Sequence, residues 1–209
     1  MDEFIVLTPD PKEAHSFYYQ YIFQENLQLE FLCKKYNFES KAPYSWKWEL
    51  FGAILVGDKR KKLLLEDSDK REHKGADLLN HEIKSSGEGS AFEYQYHPES
   101  WQDKLREDRR VTHIYVSYSE DYKDITVRAL EGSKLENYFK EWEPELAIYW
   151  KDETSKKITN KRFRRHIPYS RVRSEGRIIC AIKNTELLYS NNQGMAGDLL
   201  LKPKSKRNN

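Results

Sequence analysis

At 209 residues, with 36 lysines and arginines against 34 aspartates and glutamates, the chain has a formal net charge of only +2, although a third of its residues are charged. That length accommodates one sizeable core rather than two, so a single domain over residues 1–209 is expected; 14 tyrosines, 9 phenylalanines and 5 tryptophans exclude a disordered polymer. No run approaches the roughly 20 apolar residues of a membrane span, Met1-Asp2-Glu3 is acidic where a secretion signal is basic, and Cys33 and Cys180 are too few for a disulfide framework or zinc cage, so a soluble, cytoplasmic protein is expected.

Pro9 and Pro11 open a helix whose apolar residues Ala14, Phe17, Tyr18, Tyr21, Ile22, Leu29 and Leu32 approximate helical spacing as far as Tyr36. Pro43 breaks the pattern. Trp46 to Val56, rich in aromatic and branched residues, reads as a strand that carries Glu49. A charged loop, the short apolar run Leu63 to Leu65 and a polar stretch to Lys74 follow, leading into Gly75-Ala76-Asp77-Leu78-Leu79-Asn80-His81-Glu82-Ile83-Lys84-Ser85-Ser86. Beyond a bend at Gly87-Glu88-Gly89, Phe92 to Tyr96 alternates as a strand, and Pro98 starts a helix through Trp101 and Leu105 that ends in Arg106, Arg109 and Arg110. Val111 to Tyr118 and Ile125 to Leu130 read as strands, and Lys134 to Trp142 as a helix.

The segment around Glu82 concentrates chemistry. Residues two apart on a strand share a face, so Glu82 and Lys84 point one way and Ile83 the other. If Leu79-Asn80 forms a two-residue turn, Leu78 pairs with His81 and Asp77 falls opposite Glu82. Like charges facing each other across a strand pair are destabilising unless neutralised, and a divalent cation would neutralise both while taking their oxygens as ligands. Glu39-Ser40-Lys41 and Glu72-His73-Lys74 repeat the Glu-x-Lys spacing, but the first has a polar centre and runs into Pro43, and neither has the apolar middle residue and following serines of the copy at Glu82.

Further along, ten bases against three acids between residues 151 and 177 leave a local charge of +7, and the tail at 202–209 is also basic. Within this belt Lys161, Arg162, Arg164, Arg165, Arg171 and Arg173 alternate with aromatic and hydroxyl residues, among them Tyr169 and Ser170. Arginine reads guanine bidentately, while lysine, serine and tyrosine hold phosphates, so a nucleic-acid surface is expected here. Gln95 is a further candidate for that surface, and Asn191 to Gly197 forms a polar loop that either touches bases or merely connects.

The order helix, three strands, helix, strand, with Asp77 and Glu82-Ile83-Lys84 on the second and third strands, resembles the PD-(D/E)XK nuclease superfamily. In size the chain is similar to a type II restriction endonuclease. The similar region runs from about 46 to 118, and Ala76 stands where the family's signature proline would be. The resemblance implies an α/β (α+β) fold, a central mixed β-sheet flanked by helices, with an αβββαβ core and a C-terminal elaboration. It implies Mg²⁺ held by Asp77, Glu82 and the Ile83 carbonyl, with Lys84 orienting or helping to deprotonate the attacking water. Asp67, Asp69 and Glu93 are alternatives to Asp77, and Glu49 or Glu93 a possible additional acid; Ser85 and Ser86 join the DNA contacts. The expected activity is hydrolysis of double-stranded DNA at a specific site, leaving a 5′-phosphate and a 3′-hydroxyl. A prokaryotic homodimer working beside a cognate DNA methyltransferase would be the setting. A structure-specific nuclease of the same fold and a non-catalytic nucleic-acid-binding module are the alternatives.

Overall fold

A computed structural model of the chain describes residues 7–36, 45–59, 77–97, 100–149, 162–190 and 199–200. Asp67, Asp69, Lys161, Leu63 to Leu65, the loop 191–197 and the basic tail lie outside the described residues, as does the side chain of Cys33.

The first helical segment begins where expected. Asp10 caps it by accepting from the Glu13 N–H at 2.8 Å, and Pro11 occupies the first turn, where its missing N–H costs nothing. The segment runs as α1 (Pro11–Phe17), a π-helical stretch (Tyr18–Gln24) and α2 (Glu25–Tyr36). Ala14, Tyr18 and Ile22 are fully buried, whereas Tyr21 and Leu29 are exposed. Ser45–Val56 is a helix, α3, and not the strand its aromatic and branched residues suggest. Its twelve residues exceed an ordinary strand, and Trp48, Phe51 and Leu55 repeat at three and four, a helical stripe that is buried. Lys47 is also drawn inward, donating to the Tyr21 carbonyl at 2.9 Å and pairing with Glu25 at 2.7 Å.

Beyond α3 the chain is α+β. It continues as β1 (His81–Gly87), β2 (Phe92–Tyr96), α4 (Trp101–Asp108), β3 (Thr112–Tyr118), β4 (Ile125–Glu131), a 3₁₀ turn (Gly132–Leu135) and α5 (Glu136–Tyr149). Past residue 162 follow β5 (Phe163–Ile167), α6 (Tyr169–Glu175), β6 (Arg177–Lys183), β7 (Glu186–Ser190) and β8 (Leu199–Leu200). Six strands form a mixed sheet in the order β1-β3-β4-β6-β7-β8, in which β1 and β3 are parallel and the remaining pairs antiparallel. Parallel neighbours need a long crossover, and here it consists of β2 and α4. The strand β2 leaves the sheet and pairs antiparallel with β5 as a separate ribbon. The expected run of three strands before a helix is therefore replaced by a helix, α3, and two strands that belong to different sheets.

Each face of the large sheet has its own core. Ile83, Ile114, Val116 and Val127 pack under α1, the π-helical stretch and α3. On the other face Tyr115 and Leu130 meet Phe92, Tyr94 and Tyr96 of the ribbon, Leu105 of α4 and Phe139, Trp142 and Leu146 of α5. Among the described residues no helix is long and apolar enough to cross a membrane. Two glycines mark close approaches. A Cβ on Gly132 would collide with the Asp108 carbonyl oxygen and lie 2.8 Å from that of Arg109, both main-chain atoms that cannot turn aside; one on Gly52 would meet only the Ile83 side chain, with Cδ1 at 2.8 Å. Gly132→Ala should therefore cost about 1–3 kcal/mol in urea unfolding, while Gly52→Ala, relieved by a rotation of Ile83 and by better helix propensity, should stay within about 1 kcal/mol of the parent protein.

Candidate active site

Asp77 lies in the bend just before β1, and the turn at Leu79-Asn80 forms as the sequence suggests: the Leu78 N–H donates to the His81 carbonyl at 2.9 Å. Asp77 and the strand then exchange hydrogen bonds. The Asp77 N–H donates to Glu82 Oε2 at 2.9 Å, and the Ile83 N–H donates to Asp77 Oδ2 at 3.0 Å. On the other side, the Thr112 N–H of β3 takes the Asn80 carbonyl at 3.2 Å. A strand residue sends its N–H and C=O to the same side, and sides alternate along the chain. The Ile83 carbonyl therefore emerges with its N–H at the edge occupied by Asp77, where β1 has no further strand neighbour among the described residues.

Glu82 and Lys84 face the ribbon and α4 while Ile83 packs into the opposite core, the alternation expected of them. Glu82 is fully buried, and its Oε1 receives two ammonium groups, Lys84 Nζ at 2.5 Å and Lys104 Nζ of α4 at 2.7 Å. Lys84 also lies 5.0 Å from the Tyr94 ring centroid. Lys104 reaches Asp108 Oδ1 one helical turn on, at 3.3 Å. Three carboxylates and two ammoniums thus share one low-dielectric region, one negative charge in excess.

Burial lifts the Asp108 carboxyl despite Lys104 beside it, and the excess weighs on Asp77 as well. Burial and the neighbouring Glu82 charge raise its carboxyl to about 7. Burial opposes ionisation of Glu82 too, but Lys104 and Lys84 outweigh it and hold Glu82 well below the usual carboxylate range. For both lysines burial works against the charge; Glu82 and Asp77 overcome it for Lys84, and Asp108 with Glu82 for Lys104, so both ammoniums sit above their ordinary values.

A neutral hydrogen-bonded chain supports this cluster. The Asp108 carbonyl can only accept, so His113 Nε2 donates to it at 2.7 Å. Burial holds His113 below its ordinary value and hence neutral. Its Nδ1 then accepts from the Tyr94 hydroxyl at 2.7 Å, and Tyr115 donates to Tyr94 at 2.7 Å. Tyr96 donates to Asp108 Oδ2 at 2.9 Å.

The other candidates separate. Glu49, on α3, is half-buried and adds to the negative potential at Asp77, although it arrives on a helix and not a strand; it also lines a cavity of about 490 Å³ with Trp46, Asp58 and Leu78. Glu93 does not join the cluster. It alternates outward on β2 opposite the buried Tyr94, beside Arg164 at 3.5 Å and His166 at 3.6 Å. Gln95 shares that outer face and accepts from Arg162 at 2.7 Å. Arg165 is engaged with Glu145, and Arg171 with Glu175 and the Lys134 carbonyl, so these two are tied down by the fold. Arg164, Ser170 and Arg173 are exposed, Tyr169 is half-buried beside Phe92, and Ser85 and Ser86 sit half-buried on β1. Lys104, Asp108, Tyr94, Tyr96 and Tyr115 are not singled out by the sequence, which reads His113 as ordinary strand-end packing. The available signal was Lys104 and Asp108 at i, i+4 in line with Trp101 and Leu105, which puts an ion pair on the inward face of α4.

No protein-family model matches the chain, and no characterised protein matches it in sequence. Among the described residues no group of three or more His, Cys, Asp and Glu side chains is disposed to hold a metal ion. Two carboxylates and one carbonyl at a strand edge nevertheless suit a hard cation that retains most of its waters.

The proton on Asp77 gives a stability signature. The unfolded side chain ionises near pH 4 and the folded one near 7, so between these values the folded chain holds the extra proton and stability falls as pH rises. Glu82 acts oppositely, contributing stability that is present above pH 4.5 and lost only in strong acid. In urea unfolding with EDTA, Asp77→Asn should flatten the slope between pH 4 and 7 and make the protein at least about 1 kcal/mol more stable than the parent at pH 8. A slope unchanged in the variant would place the proton on another group.

Proposed function

We propose that the protein is a Mg²⁺-dependent endonuclease that hydrolyses double-stranded DNA at a specific sequence. The observation that carries this reading is the reciprocal clamp at the edge of β1, where Asp77 and Glu82 are held against the Ile83 peptide with Lys84 on Glu82. A fold rarely buries carboxylates so close together without a use for them, since isolated buried charge is costly.

Asp77, Glu82 and the Ile83 carbonyl would hold the cation, in place of the proton on Asp77 and of part of the lysine pairing on Glu82. When bound, Mg²⁺ supplies a positive charge that stabilises the negative charge growing on the scissile phosphate. Lys84 keeps its proton beside the two acids; released from Glu82, it would donate to and orient the water that attacks the phosphorus in line, the bond to the 3′-oxygen breaking and a proton of that water reaching the 3′-oxygen through solvent, which leaves a 5′-phosphate and a 3′-hydroxyl. Glu82 is wholly buried, so a phosphate approaches from the Asp77 edge, past the half-buried Asp77 and Lys84. Arg162, Arg164 and Gln95 on the outer face of the ribbon, with Arg173, supply the phosphate and base contacts. Cutting both strands of a symmetric site calls for two centres related by a two-fold axis, hence a homodimer on the duplex.

Incubating the protein with a long duplex of known sequence should give discrete fragments with Mg²⁺ and none with EDTA. Glu82→Ala should abolish detectable fragments while the protein still binds duplex in Ca²⁺. Unchanged cleavage by Glu82→Ala would remove the site assignment, and intact duplex in every lane would remove the nuclease reading. Arg164→Ala should weaken duplex binding and lower the slope of log affinity against log salt by about 1, as the loss of one phosphate contact does.

A further inference from the structure

Two ammoniums converge on one oxygen of Glu82, and their surroundings differ. Lys84 stands on the edge strand with the Tyr94 ring and Glu82 as its neighbours, and its side chain is 15% exposed. Lys104 comes from α4 in the crossover that links β1 to β3, and it is fastened from behind. Asp108, one turn along the same helix, accepts from it at 3.3 Å. Asp108 is itself fixed by the Tyr96 hydroxyl on its side chain and by His113 on its carbonyl. Gly132 presses against that carbonyl so closely that no side chain fits there. Moving Lys104 would disturb three elements; moving Lys84 disturbs one ion pair.

We propose that Lys104 is a positioning residue for the phosphodiester hydrolysis: it remains on Glu82 as a permanent counter-ion and fixes that carboxylate, so that Lys84 can leave Glu82 for the attacking water. This rests on the nuclease reading above. A carboxylate held by a single lysine would lose its only ammonium partner each time that lysine turned to substrate, leaving the bound cation alone to set its direction against the charged side chains of the fold. With Lys104 in place the step exchanges one of two ion pairs, and Glu82 keeps its direction toward Asp77. Lys104 itself touches neither substrate nor water in this scheme.

The test compares Lys104→Met, Lys104→Arg and the double variant Lys104→Met/Asp108→Asn with the parent protein. Cleavage rate is measured across a Mg²⁺ titration, together with duplex binding in Ca²⁺ and thermal unfolding. Lys104→Met should lose about 10–100-fold in rate at saturating Mg²⁺, the range typical of groups that orient a metal ligand, with duplex affinity unchanged. It should also need less Mg²⁺ for half-maximal rate, because an ammonium beside two carboxylates repels a cation. A merely structural loss would not lower that requirement. Lys104→Arg, which keeps the charge, should recover part of the rate. Should Lys104→Met fail to fold, the double variant removes one charge of each sign and retains packing, and the same loss is expected of it. Cleavage within twofold of the parent by whichever of the two folds, while Glu82→Ala is inactive, would overturn the role of Lys104 and leave the nuclease reading intact. A parent protein that does not cleave would overturn both.

Discussion

Everything around the candidate site follows from one constraint: three carboxylates must be buried with only two ammoniums to balance them. Water cannot screen these charges, so each one has to be met by a fixed partner or neutralised. The fold meets the demand from four directions. β1 brings Glu82 and Lys84, the preceding bend brings Asp77, α4 brings Lys104 and Asp108, and the β2 ribbon brings the tyrosines that close the remaining hydrogen bonds. What is left over is the raised carboxyl of Asp77, which stands beside β1 at the end of the sheet among the described residues.

The topology makes that convergence possible. β1 and β3 are parallel, with Glu82 beside His113 and Lys84 beside Tyr115, and parallel strands cannot be joined by a tight turn. The chain uses the obligatory crossover twice. One half, β2, becomes a strand of a second sheet whose inner face carries Tyr94 and Tyr96 over the cluster and whose outer face carries Gln95, Arg162 and Arg164. The other half, α4, aims Lys104 back at β1. A single connection thereby ties the outer-face groups Gln95, Arg162 and Arg164 to the buried cluster around Glu82.

How much of this was legible in the sequence depends on how local the relevant geometry is. The turn at Leu79-Asn80, the pairing of Leu78 with His81 and the shared face of Glu82 and Lys84 are settled within eight residues, and they appear as expected. The strand at 92–96 was readable from alternation and those expected at 111–118 and 125–130 from their branched and aromatic content, while the α+β class came with the resemblance, and all of these are present. Trp46 to Val56 was not readable, because its aromatic and branched residues carry the composition of a buried strand, and only its length and the spacing of Trp48, Phe51 and Leu55 distinguish the helix. Lys104, and the place of His113 in the cluster, were not readable for a different reason. They meet Glu82 across 22 and 31 positions of chain, through a register that no local pattern encodes. The basic belt was readable as charge, but the strands and helix inside it, and the pairing of Arg165 and Arg171 with glutamates that removes them from a free surface, were not.

The reciprocal bonds between Asp77 and the Glu82-Ile83 backbone have an evolutionary corollary. Because Glu82 accepts from the Asp77 N–H and Asp77 accepts from the Ile83 N–H, the separation of the two carboxylates behaves as a chelate bite set by the closure of the intervening turn. Inserting or deleting one residue between them would carry Asp77 away from the Ile83 N–H, because β1 itself is held in register by β3 and by the packing of Ile83. Substitutions along this short arc are graded in their effect, but changes of its length are all-or-none, so the spacing of five is the quantity that descent must preserve.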